Sequence, residues 1–128
     1  MLTAAGQQSL SSRILLVEDH EDTALVLARL LEGSGCRVKV AGNAEIALGL
    51  AAEESFDVVL CDIGLPEISG HELMRRMHQQ YGLKGIALTG YASEQDVKIG
   101  ESSGFEDYLV KPIDVAQLVC AIQRVMRA

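Results

Sequence analysis

Three short apolar runs, each stopping at charged residues, restrict this chain to very few folds. Ile14-Leu15-Leu16-Val17 ends at Glu18 and Asp19, Val58-Val59-Leu60-Cys61 ends at Asp62, and Tyr108-Leu109-Val110 ends at Lys111. Runs this short, rich in leucine and β-branched residues, suit strands buried on both faces of a parallel sheet. Charged groups at the carboxyl ends of such strands sit in the crevice where open α/β sheets bind ligands. Three carboxylates crowded there would repel one another unless a divalent cation or a lysine offset them. Such a placement serves function rather than stability.

Between the runs, strand and helix alternate five times along the chain. Arg13 to Val17 is the first strand, and an amphipathic helix spans His20 to Glu32. Leu25, Leu27, Ala28, Leu30 and Leu31 lie on or near its apolar stripe. Gly33-Ser34-Gly35 ends it. Cys36 to Ala41 alternates polar and apolar residues, as an edge strand with one wetter face does. Asn43 is placed to cap a helix over Ala44 to Glu53. Asp57 to Cys61 forms the third strand, followed by a loop from Asp62 to Gly70 and a helix over His71 to Gln79. Gly85 to Leu88 is the fourth strand, ending at Thr89-Gly90. Ser93 starts a helix that reaches Ser102, and Phe105 to Val110 is the fifth strand. Asp114 caps a last helix with Leu118, Val119, Ile122, Val125 and Met126 at helical spacing.

Alternating β and α elements imply a parallel sheet with right-handed crossovers and helices on both faces. With the alternating second strand at an edge, the order is 2-1-3-4-5. The expected architecture is therefore an α/β, flavodoxin-like (βα)5 doubly wound sheet of five strands. Its switch point falls between strands one and three, beside Glu18, Asp19 and Asp62.

At 128 residues the chain fits one domain, read as residues 13–128, with Met1 to Ser12 as a flexible tail or linker. The tail has no basic residue and no apolar core, so it is not a signal peptide. No apolar stretch approaches membrane-spanning length. Cys36, Cys61 and Cys120 are odd in number and lack metal-ligand spacing, which suits reduced thiols in a cytoplasmic protein. The net charge of -7 and the absence of a basic stripe argue against nucleic acid as a partner. His20, His71 and His78 have neither metal spacing nor nucleophile partners and read as ordinary surface or loop histidines.

Taken together, Leu16-Val17-Glu18-Asp19, Asp62 with Pro66 and Gly70, Leu88-Thr89-Gly90, and Tyr108-Leu109-Val110-Lys111-Pro112 resemble the receiver domain of two-component response regulators. The resemblance runs over essentially the whole chain from Arg13 onward. It implies that Asp62 is the phospho-acceptor, a carboxylate nucleophile whose charge a metal and a lysine offset. It implies an Mg²⁺ site made by Asp19, Asp62 and the backbone carbonyl of Gly64, with Glu18 acting through a metal-bound water. Thr89 would hydrogen-bond the phosphoryl group, and Gly90 would leave room for its donor. Lys111 would pair with Asp62 at rest and with a phosphoryl oxygen afterwards. The Lys111-Pro112 bond is cis in receivers as a rule, and an X-Pro bond has only a small trans preference. Tyr108 occupies the aromatic switch position. Its ring would follow Thr89 inward and change the face made by the fourth helix, fifth strand and fifth helix.

Each residue also has a plainer role available. Asp62 could begin a solvated turn, Glu18 could favour a helix N-terminus, and Thr89 could simply end a strand. Lys111 could be an exposed lysine and Tyr108 a core tyrosine. Gly64 and Tyr91, two residues after Asp62 and Thr89, stand where receivers vary and where phosphoryl lifetime is tuned. A glycine positions no attacking water and a tyrosine shields the site, so a moderately long-lived phosphoryl state is expected.

The resemblance implies a signalling domain, not an enzyme beyond its own phosphorylation and dephosphorylation. Its partner would be a histidine kinase or histidine phosphotransfer protein, either separate or as a covalently linked kinase in a longer protein. It implies no nucleic acid and no membrane contact by this domain. A phosphatase with an aspartate nucleophile usually carries a second acid where Gly64 stands. A nucleotide-binding module would not place Glu18-Asp19-His20-Glu21-Asp22 against phosphate. A pseudo-receiver acting by protein contact alone is the remaining alternative.

Overall fold

A computed structural model describes residues 11–90 and 103–127. Its strands are β1 (Arg13–Val17), β2 (Arg37–Ala41), β3 (Val58–Asp62), β4 (Gly85–Thr89) and β5 (Phe105–Val110). Its described helices are α1 (Glu21–Gly33), α2 (Ala44–Glu53), α3 (Gly70–Tyr81) and α4 (Val115–Arg127). The helix expected over Ser93 to Ser102, and Tyr91, lie outside the described residues. All neighbouring strands pair in parallel, in the expected order β2-β1-β3-β4-β5.

Residue alternation along the strands divides the core between two faces. Ile14, Leu16, Val58, Leu60, Ile86 and Leu88 pack against α1 and α4. Leu15, Val17, Val59, Cys61 and Ala87 point the other way, against α2 and α3. Every residue of β3 and β4 is buried, while β2 is mostly exposed, as its alternating sequence suggested. Asn43 and Ser69 cap α2 and α3, accepting from Ile46 N at 2.8 Å and Glu72 N at 3.2 Å. Asp114 accepts from Ala116 N at 2.8 Å at the start of α4. No described helix is long and apolar enough to cross a membrane.

The structure corrects three details. The buried stripe of α1 is Ala24, Leu27, Ala28 and Leu31. Leu25 and Leu30 were expected on or near it, but are 50% and 41% exposed. Met126 likewise points outward from α4 at 45% exposure. Ser12, assigned to the tail, is buried, and its carbonyl accepts from Arg37 N at 2.8 Å. Ser12 therefore packs with the sheet, at the amino end of β1, rather than belonging to a free tail.

Candidate functional site

Parallel register assembles the site from residues far apart in sequence. Val17 pairs with Cys61 across β1 and β3, so the next residues, Glu18 and Asp62, fall side by side at the carboxyl edge. Thr89 ends β4 opposite Val110 of β5, and its carbonyl accepts from Lys111 N at 2.7 Å. Asp62 is the last residue of β3 itself, one beyond the expected strand end. Gly70 fixes the return of the loop that follows. A Cβ there would lie 2.6 Å from the Asp62 carbonyl oxygen and 2.5 Å from Ile63 Cα, so only glycine fits. Its N–H donates to the Ile63 carbonyl at 3.0 Å.

The polar geometry centres on Lys111. Its ammonium lies 2.8 Å from Glu18 Oε1 and 3.4 Å from Asp62 Oδ2. The resting partner expected for Lys111 was Asp62, and the structure adds the fully buried Glu18 as the nearer one. Burial pulls the Lys111 pKa down, but the bond to Glu18 and the charges of Asp62 and Glu18 outweigh it and leave it raised. Asp62 Oδ1 accepts from the Gly64 N–H at 2.9 Å. Burial, with Asp62 and Glu18 nearby, pushes the Cys61 thiol far up, so it stays protonated and inert. Thr89 is buried at the end of β4. The Lys111-Pro112 peptide bond is cis.

Glu18, Asp19, His20 and Asp62 each offer a donor atom, and these atoms all lie within 4.8 Å of one another. Donors about 2.1 Å from one ion stand at most about 4.2 Å apart, so a small contraction would close them on a divalent cation. One Asp19 oxygen, Oδ1, is shut off from solvent and accepts no hydrogen bond from the described residues, the His20 ring nitrogen standing 3.5 Å away. Buried carboxylate oxygens require partners. Three carboxylates supplying hard oxygen donors, one of them with a buried oxygen that accepts no hydrogen bond from the described residues, fit Mg²⁺.

The response regulator receiver domain model matches residues 14–123. The chain belongs to this family. It is 40% identical over 114 residues to a Leptolyngbya boryana protein known as the uncharacterized 14.6 kDa protein in the sodA1 3' region, covering 87% of each chain. It is 35% identical over 116 residues to the Escherichia coli K12 transcriptional regulatory protein CpxR, covering 91% of this chain and 50% of CpxR. The chain thus spans about half the length of that relative. Among solved structures, the CheY-like receiver domain protein of Methanospirillum hungatei JF-1 superposes with a TM-score of 0.85 at 32% identity, covering 91% and 94% of the two chains. The domain is a signalling module on the CheY-like fold.

His20 is the exposed loop histidine the sequence suggested, yet its ring joins the site, whereas His71 is part-buried on α3. The His20 ring lies 3.3 Å from Glu18 Oε2 and 3.5 Å from Asp19 Oδ1, within the acidic cluster. His71, in the first turn of α3, sets Nε2 at 2.7 Å from the Tyr108 hydroxyl. Both Tyr108 and His71 meet the Phe105 ring edge-on at 5.8 Å. The signal for His20 was its place directly after two acids. His71 carried no comparable signal, because its partner is 37 residues away on another element.

Proposed function

We propose that this receiver domain takes a phosphoryl group from a partner's phosphohistidine onto Asp62 in an Mg²⁺-dependent step, then changes its output surface. A carboxylate oxygen of Asp62 would bond to phosphorus as the phosphorus–nitrogen bond breaks, the imidazole leaving with the electron pair and taking up a proton. The observation that carries this is Lys111, held by both Asp62 and the buried Glu18 at the carboxyl edge of the sheet. Its raised pKa favours the charged ammonium. Once Asp62 becomes an acyl phosphate its negative charge moves to the phosphoryl oxygens, and Lys111 can follow while Glu18 anchors it. Asp19, Asp62 and the Gly64 carbonyl would hold Mg²⁺, with Glu18 acting through a bound water. When bound, Mg²⁺ would offset negative charge on the incoming phosphoryl group. Thr89 would donate to a phosphoryl oxygen, and Tyr108 would report that movement to the face it shares with α4.

Residues 13–128 would act as the receiver unit, in the cytoplasm, with a histidine kinase or histidine phosphotransfer protein as donor. Neither nucleic acid nor a membrane enters this role. Intact mass after incubation with acetyl phosphate tests the reading. One phosphoryl adduct that requires Mg²⁺ and vanishes in Asp62→Asn supports it. Folded protein that takes no adduct would instead act as a pseudo-receiver, by protein contact alone.

A further inference from the structure

The first turn of α3 carries an interaction that phosphoryl chemistry does not use. Gly70 is pressed against the backbone of Asp62 and Ile63 and bonded to the Ile63 carbonyl, while Ser69 caps the helix. The backbone of the next residue, His71, is thereby fixed relative to the Asp62 loop. From there the imidazole reaches across to β5 and meets the Tyr108 hydroxyl at 2.7 Å. Phe105 braces both rings edge-on, and the His71 and Tyr108 rings themselves lie 6.1 Å apart at 55°. Tyr108 is half-buried, packed against the α2–α3 side of the core. Its ring cannot swing away without breaking this bond.

We propose that His71 is a positioning residue that holds the Tyr108 hydroxyl and restrains the output face of the resting domain. This rests on the reading of Tyr108 as the element that responds to Asp62. If phosphorylation moves Tyr108, the bond to His71 must be given up, and the apparent affinity of the site for a phosphoryl group is reduced accordingly. A hydrogen bond of this kind contributes about a five-fold factor in such an equilibrium. His71 would thus set the threshold for the response while touching neither metal nor phosphoryl group.

The test is calorimetric titration of the full chain with beryllofluoride in excess Mg²⁺, a stable mimic of a phosphorylated carboxylate. His71→Leu and Tyr108→Phe should each bind about five-fold more tightly, and the double variant should gain nothing further. His71→Gln, which keeps a polar group at that position, should stay near wild type. Unchanged or weaker binding in His71→Leu, or additive gains in the double variant, would overturn the proposal. A second measurement needs no ligand. In the apo chain, the Tyr108 ring resonances should shift and its ring flips quicken in His71→Leu, and an unmoved ring would also overturn it. If wild type takes no beryllofluoride while the ring responds to His71→Leu, the restraint stands and the phosphoryl-acceptor reading fails.

Discussion

Replacing Gly70 with alanine tests how the fold holds the Asp62 loop. The added Cβ would sit 2.5 Å from Ile63 Cα and 2.6 Å from the Asp62 carbonyl oxygen, both backbone atoms that cannot rotate aside. Overpacking typically costs about 1–3 kcal/mol, and an overlap with backbone belongs near the top of that range. The better helix propensity of alanine returns at most about 1 kcal/mol, at a position that opens α3. The net loss is then about 2 kcal/mol, roughly a thirty-fold shift in the folding equilibrium. With a urea dependence of about 2 kcal/mol/M, the midpoint should fall by about 1 M with an unchanged slope. Gly90→Ala is the matched control, because a Cβ there meets no described residue within 4 Å, and its stability should move by no more than about 0.5 kcal/mol. Equal urea midpoints for Gly70→Ala and Gly90→Ala would refute the close approach of α3 to the Asp62 backbone.

Other perturbations probe the charges and thiols around the site. Lys111→Met leaves the buried Glu18 without its 2.8 Å partner and should cost about 3 kcal/mol in urea unfolding at neutral pH; a loss under about 1 kcal/mol would contradict the pairing. Burial lowers the Lys111 pKa, but Glu18 and Asp62 outweigh it and raise it overall. Its stabilisation is therefore complete below the unfolded lysine value of about 10.4 and lost as pH rises through the higher folded value. The stability gap between wild type and Lys111→Met should narrow only in that alkaline range. Cys120 is exposed, whereas Cys36 and Cys61 are buried with thiols pushed up by burial first of all. A thiol reagent at pH 8 should thus label Cys120 quickly and the other two only on unfolding, and rapid labelling of Cys61 would contradict its burial. With Gly64, which has no side chain to position an attacking water, beside Asp62, phosphoprotein followed by intact mass should decay over minutes or longer, and a half-life of seconds would contradict that role.

Much of the fold was legible because strands buried on both faces leave a plain mark. β1 and β3 are unbroken apolar runs, and each ends at the acids that face one another in the structure. The caps at Asn43 and Asp114 were equally readable, since each is a local bond within three residues. What escaped depends on distant elements. Leu25 and Leu30 have the composition of a core stripe, yet which side of α1 meets the sheet is set by Leu27 and Leu31, and the others stay exposed. The pairing of Lys111 with Glu18 spans 93 residues and follows from strand order rather than any local pattern. The contact of His71 with Tyr108 depends in turn on the close seating of α3 that Gly70 permits.

The most direct test of the central claim is to locate the phosphoryl group chemically. The Mg²⁺-loaded chain is treated with acetyl phosphate, reduced with borohydride, digested and sequenced by mass spectrometry. An acyl phosphate is reduced to the alcohol, so a phosphorylated aspartate is read as homoserine. Homoserine at position 62 and nowhere else is the result the account predicts. Homoserine at Asp19 or Asp57, or none in a chain shown to be folded and Mg²⁺-bound, would contradict it.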